Sequence, residues 1–156
     1  MTNTTISQAI LVGRPLAMFN QSLHRSWLHS LWSKLIRRCN CLEDFEIEFQ
    51  CSIVENSSYA GVRSVDIANI HGTLGKSDEF DADFCPTQER SRTRWMGIAL
   101  EKLRGHNLPP VELIEVNGKY YVRDGHHRIS VSRAMGQDFI DAEIIHMQLR
   151  QQNLCR

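Results

Sequence analysis

The chain has 156 residues, of which 42% are hydrophobic and 23% are charged, and this composition is typical of a folded globular protein rather than a disordered one. Eighteen basic residues balance eighteen acidic ones, so the net charge gives no reason to expect strong non-specific attachment to nucleic acid. No apolar run approaches the roughly 20 residues that span a bilayer. The composition therefore excludes an integral helical membrane protein.

The neutral total hides three electrically different segments. Residues 1 to 42 contain five basic residues and no acidic one, whereas residues 43 to 87 contain ten acidic and two basic residues. Residues 88 to 156 contain eleven basic and eight acidic residues. Charge in this chain is thus organised by segment rather than mixed evenly.

The cysteines predict a reducing compartment. They are odd in number and irregularly spaced, and no signal peptide precedes them: Cys39, Cys41, Cys51, Cys85 and Cys155. A zinc site is disfavoured because no second pair accompanies Cys39 and Cys41. We expect partly buried thiols and a cytoplasmic protein.

The first 55 residues are predicted to form an N-terminal arm and a basic amphipathic helix. Residues 1 to about 20 indicate a loosely held arm, and residues 22 to 38 place their large apolar side chains on one helical face, namely Leu23, Trp27, Leu28, Leu31, Trp32, Leu35 and Ile36. Packing against its own domain or a second copy is the favoured role of this helix. A protein partner or an anionic membrane surface is the alternative, with membrane contact less favoured. Residues 41 to 51 fit either a helix or a strand, and residues 55 to 60 form the junction.

Residues 56 to 156 are predicted to form one compact α+β domain. A strand over residues 62–67 precedes a loop over 71–77 and a helix from about residue 86 to 104, which Gly105 ends. Strands over 111–116 and 119–123 form a hairpin around Asn117-Gly118, a favoured two-residue turn. A helix from about residue 126 to 135 and a strand over 139–146 complete the domain.

The turn between the hairpin and the last helix predicts a phosphate site. The first N–H groups of a helix have no acceptor within the helix and lie at its positive end, so they attract anions. Gly125 permits close approach, Arg128 can grip two phosphate oxygens, and His127 offers a further donor. The two adjacent histidines, His126 and His127, are poorly placed to chelate one metal ion, because successive helical residues point about 100° apart.

The same turn resembles the signature of the ParB/sulfiredoxin-like superfamily. The resemblance covers about residues 61 to 146 and lies chiefly in the run from Asp124 to Gly136, Asp-Gly-His-His-Arg-Ile-Ser-Val-Ser-Arg-Ala-Met-Gly. It implies a small mixed sheet with helices, and a phosphate site for CTP, ATP or ADP at Gly125, His126, His127 and Arg128. Sulfiredoxins carry their catalytic cysteine where this chain has His126, so the resemblance does not extend to sulfinic acid reduction.

The role of Asp124 distinguishes a nucleotide-binding module from a phosphotransferase. Asp124 can cap the helix, which is a common role of Asp, or it can act as in the free-serine kinases that the motif also resembles, binding Mg²⁺ or accepting a proton. The nearby acidic residues Asp78, Glu79, Asp81 and Asp83 are expected to form a solvated loop. Arg90 and Arg94 can extend a basic wall toward the phosphates, although exposure to solvent is favoured.

Two functions follow from these residues. The first is a nucleotide-binding module that is regulatory or binds a partner, and the second is a small nucleotide-dependent phosphotransferase. DNA partitioning or nuclease activity is less favoured, because the chain ends about ten residues after its last predicted strand, without a DNA-reading domain. Self-association or partner binding through residues 22–38 is expected, and specific DNA binding is not.

Overall fold

The computed structural model describes residues 3–36, 42–75 and 78–152, and it describes side chains in the first of these ranges from residue 13 to residue 33. The elements in chain order are α1 (Asn3–Ile36), β1 (Glu43–Asp44), α2 (Phe45–Glu48), β2 (Ser52–Asp66), β3 (Ile70–Thr73), α3 (Arg92–Leu103), β4 (Val111–Val116), β5 (Lys119–Asp124), α4 (His126–Ala134) and β6 (Phe139–Gln151). Short 3₁₀ turns span Ile67–Asn69 and Glu89–Ser91.

One mixed sheet organises the fold. Its six strands lie in the order β1-β3-β5-β4-β6-β2. The pairs β1/β3, β3/β5 and β4/β6 are parallel, whereas β4/β5 and β2/β6 are antiparallel. The predicted α+β class with a small mixed sheet is confirmed.

The predicted hairpin is present in the predicted register. Val116 pairs with Lys119 across the turn, and the two turn residues have left-handed backbones, with φ 52° at Asn117 and 81° at Gly118. Positive φ at both central positions defines the type I′ turn, which matches the twist of the flanking strands.

The strand predicted from residue 62 begins ten residues earlier. β2 starts at Ser52, which pairs with Gln151 of the equally extended β6. The register of β2 against β6 shifts between Val54 and Asn56. The strand therefore continues through Asn56-Ser-Ser, a sequence that commonly ends a strand, by way of a bulge. The predicted domain boundary at residue 55 consequently falls inside β2.

The N-terminal residues differ from the expectation. Residues 3 to 20 belong to α1, which runs through the buried Pro15. The prediction of a loosely held arm is wrong for residues 13 to 20, the part of this segment whose side chains are described. Phe19 of this segment is fully buried and packs edge-on against Trp95 of α3, with ring centroids 5.6 Å apart. This tertiary contact stabilises a segment whose local sequence has weak helical signals.

α3 begins later than predicted. Pro86 forms an isolated β-bridge with Phe80, and Thr87 donates its N–H to the carbonyl of Glu79 and its hydroxyl to that of Asp78. The chain thus remains extended from Pro86 to Gln88, and α3 begins at Arg92, directly after the 3₁₀ turn Glu89–Ser91.

The core lies mainly between the sheet and α4. Its fully buried members include Leu113, Val122, Ile129 and Ile144. A second cluster joins α1, α3 and α4 through Phe19, Trp95, Ala99 and Val131. α4 therefore contacts both clusters, and its position is fixed from two sides.

The cysteines meet the thiol expectation only in part. Cys85 is a free, partly buried thiol, whereas Cys51 is disulfide-bonded. Cys39, Cys41 and Cys155 lie outside the described residues, as do residues 37 and 38 of the predicted amphipathic helix. Of the described helices, none combines the length and apolarity needed to cross a bilayer.

Candidate phosphate-binding site

Gly125 is required by the local geometry of the β5–α4 turn. Its φ is 104°, a left-handed value that other residues rarely adopt. A Cβ atom at this position would lie 2.5 Å from Cγ1 of Val111. The glycine is thus explained by packing and backbone conformation, in addition to any approach of a ligand.

Asp124 does not cap α4. The N-cap residue is Gly125, and no side chain forms a capping hydrogen bond there. The carboxylate of Asp124, whose side chain is 51% exposed, instead accepts from Nη2 of Arg128 at 2.6 Å. The capping interpretation of Asp124 is wrong, because the chain turns one residue later than a capping Asp requires.

Arg128 fastens the preceding loop to α4. Its Nη1 donates to the carbonyl oxygens of Pro109 and Pro110, each at 2.6 Å, while Nη2 binds Asp124. Its side chain is only 16% exposed. The guanidinium fork that the sequence assigns to phosphate is therefore engaged by three protein acceptors in this structure.

The two histidines are buried under the turn. His126 is 2% exposed, its Nε2 lies 2.5 Å from Oγ1 of Thr73, and its ring stacks on Phe80 at 6.0 Å. His127 is 6% exposed and packs edge-on against the same ring at 5.1 Å. Sequence reasoning missed Thr73 and Phe80. No sequence signal pointed to Thr73, because residues 71–77 are predicted to form a loop. In the structure Thr73 ends β3, which runs parallel to β5 and pairs Thr73 with Val122.

A narrow cleft of about 10 Å³ opens at the start of α4. It brings together all five of the predicted site residues with two from α3: Asp124, Gly125, His126, His127, Arg128, Arg94 and Ile98. Arg94 is exposed but faces this cleft, whereas Arg90 lies 3.7 Å from the carboxylates of Asp78 and Glu79. Of the two arginines considered as an extension of the positive charge near the phosphates, Arg94 therefore lies at the cleft and Arg90 does not.

Arg128 also lines a second, larger cavity of about 250 Å³ between the α3–β4 loop, α4 and the start of β6. Lys102 enters this cavity from α3, and its Nζ donates to Oγ of Ser132 at 2.5 Å. Burial lowers the pKa of Lys102, which Asp141 partly opposes. The cavity thus contains polar and basic groups next to the cleft.

The acidic residues around position 80 are engaged away from the cleft. Asp81 is 4% exposed and accepts from the N–H groups of Cys85 and Asp83 through Oδ1, and burial raises its pKa. Asp83 pairs with Arg133 at 3.1 Å. The expectation of a solvated loop is thus wrong for Asp81. Within the described ranges, no group of three or more His, Cys, Asp or Glu side chains is arranged to hold a metal ion.

Comparison with known proteins gives one structural likeness. No family model matches the chain, and no curated protein matches it. The crystal structure of sulfiredoxin from Arabidopsis thaliana is similar over 58% of this chain and 85% of that protein, with 19% identity and a TM-score of 0.41.

Proposed function

We propose that the protein binds the phosphate groups of a nucleotide at the start of α4 and acts as a regulatory or partner-binding module. The observation that carries this proposal is the cleft in which Arg94 and Arg128 flank the N-terminal end of α4. The positive end of a helix dipole and two guanidinium groups all favour an anion at the same place.

The cleft and the adjoining cavity share Arg128 as a lining residue. The cleft of about 10 Å³ holds no more than about one water molecule while Arg128 is bonded to Asp124 and the two prolines. Phosphate binding at the start of α4 therefore requires Arg128 to turn away from these acceptors. The cavity of about 250 Å³ beside Lys102 and His106 is where we place the sugar or base.

A regulatory role is supported by the bonds that Arg128 already makes. An entering phosphate competes with Asp124 and with the carbonyl oxygens of Pro109 and Pro110 for the same guanidinium. If Arg128 turns to the ligand, the loop before β4 loses its tie to α4. Because a ligand shifts an equilibrium by its differential affinity for the two states, occupancy would then change the surface of this loop.

Isothermal titration with CTP, ATP and ADP, each with Mg²⁺, tests the proposal. We expect one of the three to bind, and Arg128→Lys to weaken binding at least tenfold, since Lys keeps the charge but loses the forked geometry. Arg123→Ala is the matched control, because Arg123 pairs with Glu112 at 3.3 Å and does not line the cleft. Absence of binding by all three nucleotides, or equal binding by Arg128→Lys, would refute the assignment.

Asp124 supports phosphotransfer as a second candidate, because its carboxylate is half-exposed, faces the cleft and does not cap the helix. Asp124→Asn separates the two functions. In a binding module this variant binds nucleotide as well as the parent or more tightly, since a competing anion is removed from Arg128. In a phosphotransferase it still binds, but transfer to free serine, followed by ³¹P NMR, is abolished.

A further inference from the structure

α1 has apolar side chains on two sides, because Phe19, Met18 and Leu23 pack on the domain while other large apolar residues are exposed. Ser22 and Ser26 are buried on the side facing the domain, together with Phe19. The side facing away carries four large apolar residues, Trp27, Leu28, Leu31 and Trp32, whose exposed fractions are 58%, 44%, 45% and 63%. The helix thus packs on its own domain, as one of the predicted roles requires, but it does so through Phe19 and Leu23 and leaves these four residues exposed.

These four residues, which we call the outer face of α1, form one continuous surface. At about 100° per residue they fall within an arc of about 140° on the helix. Contiguous exposed apolar surface of this kind marks a binding surface, whereas single exposed apolar residues do not.

The segment that contains the outer face contributes only basic charge, although Glu89 lines a groove together with Trp27, and Arg25 lines a pocket together with Asp83. Residues 1 to 42 contain Arg14, Arg25, Lys34, Arg37 and Arg38 and no acidic residue. Arg14 and Arg25 are exposed, and Arg25 falls at the margin of the apolar arc, next to Trp32. Tryptophan is enriched at membrane–water interfaces, where its ring contacts both apolar and polar surroundings.

We propose that the outer face of α1 binds the surface of an anionic phospholipid bilayer. Apolar side chains enter the boundary between headgroups and acyl chains, while arginine side chains contact lipid phosphates and anionic headgroups. Pairing of two outer faces would bring two basic segments together. The acidic segment 43–87 of a second copy is a weak alternative, because its carboxylates are already paired within their own chain: Glu43 and Glu48 with Lys119, Asp78 and Glu79 with Arg90, and Asp83 with Arg133. The charge pattern therefore favours a lipid surface over a second copy.

Tryptophan fluorescence provides a direct test with the full chain. The protein contains three tryptophans, and the third, Trp95, is fully buried and donates to Ser130. Vesicles of phosphatidylcholine alone are compared with vesicles in which one third of the lipid is phosphatidylserine. We expect co-sedimentation, a blue shift and quenching by brominated acyl chains with the anionic vesicles only, and reversal by high salt.

Variants assign the interaction to residues. Trp27→Ser/Trp32→Ser is expected to lose sedimentation, and Arg14→Glu/Arg25→Glu to lower vesicle partitioning at least about tenfold. Tyr59→Ser/Phe139→Ser removes two equally exposed aromatic residues outside α1 and should bind as the parent does. Unchanged circular dichroism establishes that the variants are folded, and in Trp27→Ser/Trp32→Ser the emission of Trp95, the one tryptophan left, gives a second check.

Three results would overturn the proposal. The first is absence of sedimentation with anionic vesicles, and the second is equal binding to neutral ones. The third is a stable dimer in analytical ultracentrifugation that Trp27→Ser/Trp32→Ser dissociates, because the outer face would then be covered by a second copy.

Discussion

Gly125→Ala should destabilise the protein more than the same change at other left-handed glycines. The added Cβ would lie 2.5 Å from Cγ1 and 2.8 Å from Cβ of Val111, and φ at this position is 104°. Val111 is fully buried at the start of β4, so it cannot move without disturbing the sheet. The clash is with the core and not with a flexible side chain.

Two costs add at this position. A left-handed backbone costs a non-glycine residue about 1–2 kcal/mol, and overpacking of a core costs about 1–3 kcal/mol. The free energy of unfolding should thus fall by about 2–5 kcal/mol. For a chain of this length, each kcal/mol lowers Tm by about 2–4 °C, so we expect a decrease of about 4–20 °C.

The assay is chemical and thermal unfolding followed by circular dichroism. Gly118→Ala and Gly136→Ala are the matched controls, because their φ values are 81° and 75° and an added Cβ would meet no atom within 4 Å. They should show the backbone cost alone. If Gly125→Ala is as stable as these two controls, the argument from the Val111 contact is refuted.

Three further predictions concern buried polar groups. Burial raises the pKa of Asp81 above its ordinary 3.8. The unfolded protein therefore loses this proton at a lower pH than the folded protein does. The free energy of unfolding consequently falls as the pH rises from the pKa of the unfolded state to that of the folded state. Asp81→Asn should not show this fall. The free energy of unfolding of the variant, measured by urea titration, should therefore rise relative to that of the parent as the pH increases. Burial also raises the pKa of Cys85 to about 12, so iodoacetamide should alkylate it at least tenfold more slowly in the folded protein than in urea, as measured by peptide mass spectrometry. Ser130→Ala removes the acceptor 2.9 Å from Nε1 of buried Trp95 and should cost about 1–3 kcal/mol in thermal unfolding.

Each of these has a control. Ser30→Ala changes an exposed serine of α1 and should leave Tm nearly unchanged, so an equal effect at Ser130 would contradict the hydrogen-bond argument. Parallel pH profiles for Asp81→Asn and the parent would show that burial of Asp81 does not govern this part of the pH dependence. Alkylation of Cys85 at the same rate in folded and unfolded protein would show that the thiol is accessible.

Local patterns predicted the elements around the candidate site. Asn117-Gly118 predicted the hairpin because its turn type depends on two adjacent residues, and Gly125 with the following periodic residues predicted the start of α4. The Thr73–His126 contact joins residues 53 positions apart. No local pattern reveals such a contact, because it exists only when β3 and β5 lie side by side.

The long-range partners of the charged residues were likewise beyond sequence reasoning. The arginine expected to bind phosphate is tied to Pro109 and Pro110, and the acidic run contains one carboxylate that is almost fully buried. Residue type predicts which interactions a side chain can make, but the competition among neighbouring acceptors decides which of them it does make.

The sequence by itself determined the α+β class, the hairpin and the glycine turn that begins α4, since these depend on periodicity and on backbone preferences of single residues. It also determined that α1 is basic and amphipathic. Only the tertiary structure decided which face of α1 packs on the domain, because that depends on the shape of the surface formed by α3 and α4. Phe19 fits beside Trp95, and the helix is thereby oriented with its two tryptophans facing outward.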